Sequence, residues 1–389
     1  MPKHTTSQGD IPARTERRTL TKIVATIGPA SESPAVLERL IDAGASIFRL
    51  NFSHGTNDEH KKRLDAIRQA AQARGVCIGV LGDLPGPKIR VGTVPDLDGN
   101  GGIELQPGQN VLLDRTIQVA EIREEQDGDH CEFVPALPLT YGGLVDEVRP
   151  GQRVLINDGA IRMLAVGIEP GGHAIRCVVT VGGTVTTRKG INLPETDMKV
   201  PALTDRDREM VKWAVANDLD YLALSFVRSG AEIEELRDLI IAEAPGRDPI
   251  PIVAKIEKPQ ALARIDEIAQ VADAIMVARG DLGVEMDIPE VPPAQKRIIK
   301  AANDWGKPCI VATQMLETMI ESQIPTRAEA SDVANAIFDR AGAVMLSGET
   351  AVGKHPALVV ETMARIARAA ECSLARAEGT ASPPQKLKQ

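Results

Sequence analysis

Eight short apolar runs, each followed by a segment of helical period, constrain this 389-residue chain more than any other feature. The runs are KIVATIG, SIFRLNF, CIGVLGD, YLALSF, PIVAKIE, AIMVARGD, PCIVATQ and AVMLSGE. After them come amphipathic segments such as PAVLERLIDAG, EHKKRLDAIRQAAQARG, DREMVKWAVAND, AEIEELRDLIIAEA and QALARIDEIAQVA, several closing on a glycine that tolerates the left-handed turn ending a helix. β-Branched runs alternating with helical segments predict a parallel sheet covered by helices. Eight such repeats predict closure into a (β/α)8 TIM barrel.

One connection breaks the rhythm. About a hundred residues separate CIGVLGD from the helix near Thr204, far more than a strand-to-helix loop needs. The stretch is rich in Gly, Pro, Val and Thr and holds the alternating segments RVLIND, AIRMLAVGI and AIRCVVTV, with a hairpin signal at Asp158-Gly159. It predicts a small β-barrel lid domain inserted after the third strand, at 92–189. The barrel then takes 18–91 and 190–372, leaving tails at 1–17 and 373–389, with the terminal SPPQKLKQ expected to be disordered.

A net charge of −9 argues against a nucleic-acid surface, which depends on clustered Lys and Arg. The N-terminus lacks an apolar signal core and no apolar run is long enough to span a bilayer, so no membrane partner is expected. Cys77, Cys131, Cys177, Cys309 and Cys372 are widely spaced, with neither a CxxC pair nor a disulfide framework. A cytoplasmic location is expected.

Barrel chemistry sits at the C-terminal ends of the strands, so the polar residues there are the candidates. Alternation puts Arg49, Asn51 and Ser53 on one face of the second run, with Leu50 and Phe52 on the other. Lys255 and Glu257 share a face of the fifth, which suits an anion and a hard metal ion, with an ordinary ion pair as the lesser alternative. The sixth run ends on Arg279, Gly280 and Asp281: a second carboxylate for a metal, a glycine that allows backbone approach, and an arginine that pairs either with a metal ligand or in a structural salt bridge. Thr313 closes the seventh run, where its hydroxyl could orient a substrate or water, and Ser347 and Glu349 on the eighth read as supporting or structural. Asp83, Lys88 and Arg90 surround a Gly-Pro turn at the root of the insert, and His54 follows the polar column of the second run. No Walker loop, Ser/His/Asp order or zinc helix appears, so any phosphate site must be assembled from side chains.

Taken in order, VATIGPAS, FRLNFSHG, GPKIR, RKGINLP, AKIE, MVARGDLGVE, ATQMLE, PTRAEASDVANA and MLSGETA closely resemble the pyruvate kinase family, from about Arg18 to Glu371. The resemblance implies phosphoryl transfer from phosphoenolpyruvate to ADP, giving pyruvate and ATP. On the matching positions it implies Glu257 and Asp281 as ligands of Mg²⁺ or Mn²⁺, and Arg49, Lys255, Gly280, Asp281 and Thr313 around phosphoenolpyruvate, with Lys255, Thr313 and Arg49 catalytic. Asn51, Phe52, Ser53 and His54, with Arg90 and Lys189, would form the nucleotide side. Asn51, Ser53, Asp83 and Leu84 match the K⁺ positions of members that need that ion. Lys88, however, stands where K⁺-dependent members carry Glu, which implies that K⁺ is not required.

Two departures qualify the resemblance. Family members usually continue into a further α/β domain with effector sites and a subunit interface, whereas this chain ends soon after the eighth helical segment. That leads us to expect a weak response to sugar phosphates or AMP, and a monomer or homodimer rather than a tetramer. Pro85 replaces the Gln or Lys of relatives, which would stiffen the root of the insert. Two other readings use the same residues: a metal-dependent keto-acid lyase barrel, and a catalytically weak or silent relative with a binding or regulatory role.

Overall fold

Eight parallel strands close into a barrel in the computed structural model. They are Lys22–Thr26, Ile47–Asn51, Gly79–Asp83, Tyr221–Leu224, Ile252–Ile256, Ala274–Ala278, Cys309–Ala312 and Ala343–Leu346. All eight arise from the apolar runs of the sequence. The structure describes residues 19–377 apart from 97–98, 100 and 128–129, together with 379. The expected tail at 1–17 and the segment SPPQKLKQ lie outside the described residues. The last helix, Pro356–Ala377, runs into the stretch that the sequence reads as tail.

Internal contacts divide the chain into two compact units. The first takes Met1–Arg49, Lys61–Gly79 and Gln314–Gln389. In it the first strand pairs with the eighth, Lys22 opposite Ala343, and with the second, Val24 opposite Ile47. Helix Arg327–Phe338 starts on a capping box in which Thr326 accepts from the Glu329 N–H and Glu329 accepts from that of Thr326, which satisfies two otherwise orphaned donors.

The second unit takes Leu50–His60 and Val80–Thr313. Its central strands are buried on both faces: every residue of Ile252–Ile256 is buried, as a parallel strand lined by helices requires. Thr204 caps helix Asp205–Ala216 with a second capping box. The helical segment QALARIDEIAQVA is interrupted at Arg264, whose φ of −112° and ψ of 24° depart from helical values and split it into Pro259–Ala263 and Ile265–Val271.

The insert forms a seven-stranded sheet and a two-stranded one. The predicted hairpin is present: Arg153–Ile156 pairs antiparallel with Ile161–Ile168, Ile156 opposite Ile161, and Asn157, Asp158 and Gly159 all take positive φ in the turn. A large apolar cluster fills this part of the chain, from Ile89, Val91 and Leu113 to Ile175, Val185 and Leu193, and a smaller one gathers Leu112, Val134, Ala136 and Ala174. Pairing extends slightly beyond the limits that alternation marks, through the bridge Arg90 to Gly190 and the strand Ile191–Asn192, which adds to Leu155–Ile156.

Gly82 shows how tightly the third strand is packed. A Cβ there would stand 2.6 Å from Phe52 Cε2 and 2.8 Å from Leu219 Cδ2. Phe52 in turn meets His60 and Trp213 edge-on, with ring centroids 4.9 and 5.6 Å away. Gly82→Ala should therefore cost about 1–3 kcal/mol, the range for overpacking a filled core. Gly167→Ala, where nothing lies within 4 Å of the added carbon, should stay within about 0.5 kcal/mol. Urea unfolding of both variants measures the contrast, and equal losses would reject it.

Candidate active site

Lys255 stands near the end of the fifth barrel strand, among neighbours that leave its side chain 11% exposed. Its Nζ donates to Asp83 Oδ1 at 3.1 Å and to Ser225 Oγ at 2.7 Å, and lies 2.9 Å from Glu257 Oε1. An ammonium is thus buried between two carboxylates that are themselves 2% and 1% exposed. The ion-pair reading of Lys255 and Glu257 is present in the structure and is compatible with a role toward ligands.

Glu257 is held on both oxygens, with Oε2 accepting from the Phe226 N–H. That N–H is presented by a left-handed backbone, φ 55° at Phe226, a conformation costly for a bulky residue. Burial pushes the Glu257 carboxyl up to about 7; Lys255 opposes the shift and the nearby charge of Asp281 adds to it.

Asp281 is not on a strand end, as the sequence suggests. The sixth strand stops at Ala278, and Arg279–Glu285 forms a short helix with Asp281 in its first turn. The apolar run ends there because the chain turns inward again at Leu282, which is fully buried. The Gly280 N–H donates to Thr313 Oγ1 at 2.8 Å, and the Thr313 hydroxyl donates to the Ala312 carbonyl at 2.7 Å. Thr313 has a φ of 67°, an outlier for a β-branched residue. Arg279 reaches the same place: Nε donates to the carbonyls of Ala312 and Thr313, each at 3.2 Å, and so helps to hold the strained turn.

The root of the insert brings Lys88 to this group. Lys88 Nζ lies 3.9 Å from Asp281 Oδ1 and 3.5 Å from Asp158 Oδ1 of the hairpin turn. Gly190 makes room for it, since a Cβ there would sit 2.8 Å from Lys88 Cε. Arg90 donates through NH1 to the Arg188 carbonyl at 2.9 Å, and the carbonyl of Lys189 accepts from the Val91 N–H at 2.9 Å. Leu84 is fully buried and its carbonyl accepts from Ser225 Oγ at 2.7 Å.

The polar column on the second strand is shorter than alternation implies. The strand ends at Asn51, whose Oδ1 accepts from the Ser53 N–H at 3.1 Å, so Ser53 belongs to an exposed turn. His54 is exposed in the same turn, and the cap of the following helix is Thr56, which exchanges bonds with Glu59. Phe52 departs most from expectation: its ring is buried against His60 and Trp213, and its N–H donates to the Asp83 carbonyl at 3.0 Å. It supports the floor beneath Asp83 and offers no side chain to a nucleotide.

In the first unit, Arg49 NH1 donates to Thr26 Oγ1 at 3.1 Å. There too, Glu349 is fully buried and accepts from the N–H groups of Leu316 and Ser347, the structural reading of that pair. Sequence reasoning missed Ser225, although a serine closing the apolar run YLALSF was the available signal.

Fold and site together define a (β/α)8-barrel protein with a buried lysine and two acidic side chains where the strands end beneath a β insert. The family description "Pyruvate kinase, barrel domain" matches residues 17–360. The chain belongs to the pyruvate kinase family. It is 46% identical over 356 residues to a pyruvate kinase of Corynebacterium efficiens, spanning 92% of this chain and 70% of that protein. With one from Sporosarcina psychrophila it shares 42% over 354 residues, 91% of this chain and 57% of the relative. A crystal structure of a pyruvate kinase from Cryptosporidium parvum superposes with a TM-score of 0.83 at 38% identity, covering 96% of this chain and 74% of that one.

The raised Glu257 value has a measurable consequence. Between its ordinary 4.5 and about 7, the folded protein keeps a proton that the unfolded chain has released. Stability from this group is therefore greatest at low pH and is lost as pH rises through that window. In metal-free buffer, wild type should lose stability relative to Glu257→Gln between about pH 5 and about pH 7.5. Parallel unfolding free energies across the window would reject the assignment.

Proposed function

We propose that this chain transfers the phosphoryl group of phosphoenolpyruvate to ADP, giving pyruvate and ATP, and that Lys255 acts on the charge that moves. The observation that carries this reading is the Lys255 ammonium, buried between Asp83 and Glu257. Phosphoryl transfer requires mainly positioning and neutralisation of charge. A fixed cation in a water-poor site does both, because it needs no reorganisation as charge develops.

The residues fit a divalent cation. Burial raises the Glu257 value and the charge of Asp281 adds to the shift, and a bound cation would relieve both. Among the described residues no group of three or more His, Cys, Asp or Glu is arranged to hold a metal. Two carboxylates from the protein, with substrate oxygens and water completing the shell, suit Mg²⁺ or Mn²⁺, which would supply charge neutralisation at the phosphoryl and enolate oxygens.

The other assignments follow the family resemblance. The Gly280 N–H and Asp281 border phosphoenolpyruvate. Thr313, held by Gly280 and Ala312, orients the proton donor for the enolate rather than acting as a strong acid itself. Asn51, Ser53, His54, Arg90 and Lys189 line the nucleotide side, and the insert serves as a lid that excludes water. Lys88 places a fixed ammonium beside Asp281, which takes the role of a monovalent cation at Asn51, Ser53, Asp83 and Leu84.

Lys255→Met, shown by circular dichroism to be folded, should lower turnover by about 10²- to 10³-fold, the usual loss for one transition-state donor. Wild-type turnover in that variant would reject the catalytic role. Asp281→Asn should shift the Mg²⁺ activation curve to higher concentration, and an unchanged curve would remove Asp281 from the metal site. Activity in a buffer of a bulky organic cation should stay within about threefold of that with K⁺, whereas Lys88→Glu should lose activity and regain part of it with K⁺. Strong K⁺ activation of the unmodified protein would overturn the assignment of Lys88.

A further inference from the structure

Where the insert returns to the barrel, three buried polar side chains meet that the chemistry above does not use. Asn192, the last residue of strand Ile191–Asn192, donates through Nδ2 to Glu285 Oε1 at 2.8 Å. Lys258 Nζ reaches the same oxygen at 3.4 Å. Asn192, Lys258 and Glu285 are 4%, 8% and 2% exposed.

Their places in the chain connect them to the candidate metal carboxylates. Lys258 directly follows Glu257, and Glu285 closes the short helix Arg279–Glu285 that carries Asp281 in its first turn. The same helix meets the insert again at Val284, whose Cγ1 lies 3.7 Å from the Cβ position of Gly159 in the hairpin turn. Asn192 therefore ties the insert's root to both metal-bearing segments through one carboxylate.

This network also has capacity to spare. Glu285 Oε2 and Asn192 Oδ1 are buried without a hydrogen-bond partner among the described residues. Both residues line a cavity of about 30 Å³. Buried oxygens are usually satisfied, so these two leave the network with unused acceptor capacity.

We propose that Lys258 and Glu285 are positioning residues that couple the root of the insert to the metal carboxylates, so that lid position and metal affinity set one another. The proposal rests on the metal assignment made above. The coupling is reciprocal: what the root does to metal binding, metal binding must do to the root.

The test uses the full chain without substrate or nucleotide, with Mn²⁺ as the probe. Free Mn²⁺ is counted by electron paramagnetic resonance, and amide exchange is followed at Ile191, Asn192 and Leu193. The main variant is Lys258→Met combined with Glu285→Leu, because replacing a buried ion pair by apolar side chains of similar volume is commonly neutral or stabilising. Asn192→Ala is a second variant, altered on the insert side only.

In the wild type, Mn²⁺ should bind and slow exchange at the three amides. In the double variant, affinity should fall about tenfold, within the usual range of coupling between sites, and the slowing should disappear. Asn192→Ala should show the same two changes to a smaller extent, and it decides the matter should the double variant fail to fold. Mn²⁺ affinity within about twofold of wild type in a folded variant, with the slowing retained, overturns the coupling while leaving the metal assignment intact. A wild type that binds no Mn²⁺ overturns the metal assignment, and the coupling with it.

Discussion

An ammonium inside a barrel is the constraint on which the rest of this site depends. Lys255 is tolerated because three neighbouring strands bring it partners: Asp83 at the end of the third, Ser225 just past the fourth, and Glu257 just past its own. Register matters as much as residue type, and Ala223 pairs with Asp83 while Leu224 pairs with Ala254. Removing one partner from such a buried pair typically costs about 3–5 kcal/mol, because it leaves an uncompensated charge in the interior. The polar group at the strand ends is thus part of the barrel's own energetics as well as its chemistry.

Strained backbone is present in the same region. Phe226 and Thr313 both adopt left-handed backbone, and each places a specific group: the Phe226 N–H on Glu257, and the Thr313 hydroxyl between Gly280 and Ala312. Such conformations cost on the order of 1–3 kcal/mol each and persist only where surrounding structure enforces them. Arg279 supplies part of that enforcement at the Thr313 turn. The insert is bound into this arrangement through Lys88, which reaches Asp158 and Asp281, and through Asn192 on Glu285.

Much of this was legible in the sequence, for a physical reason. Strand and helix are set by periodicity and by local signals such as the Thr204 and Thr326 caps, which are properties of short stretches of chain. Polar residues closing otherwise apolar runs likewise mark strand ends, so Lys255, Glu257 and Thr313 stood out. Less legible were the points where a local rule yields to packing. Alternation put Phe52 opposite the polar column but could not show that its ring is buried against His60 and Trp213. It also carried the sixth strand through to Asp281, where the structure turns into a helix at Arg279.

By itself, the sequence determined the eight-fold alternation of strand and helix, the insert after the third strand, and the residue types available at the strand ends. Only the tertiary structure decided which of those residues meet: that Lys255 lies between Asp83, Ser225 and Glu257, that Arg279 holds backbone carbonyls at Ala312 and Thr313, and that Lys258, Glu285 and Asn192 converge. The reason is that periodicity is a near-neighbour property, whereas these partners, Glu257 aside, are separated by 27 to 172 residues and are brought together only by closure of the sheet and return of the insert.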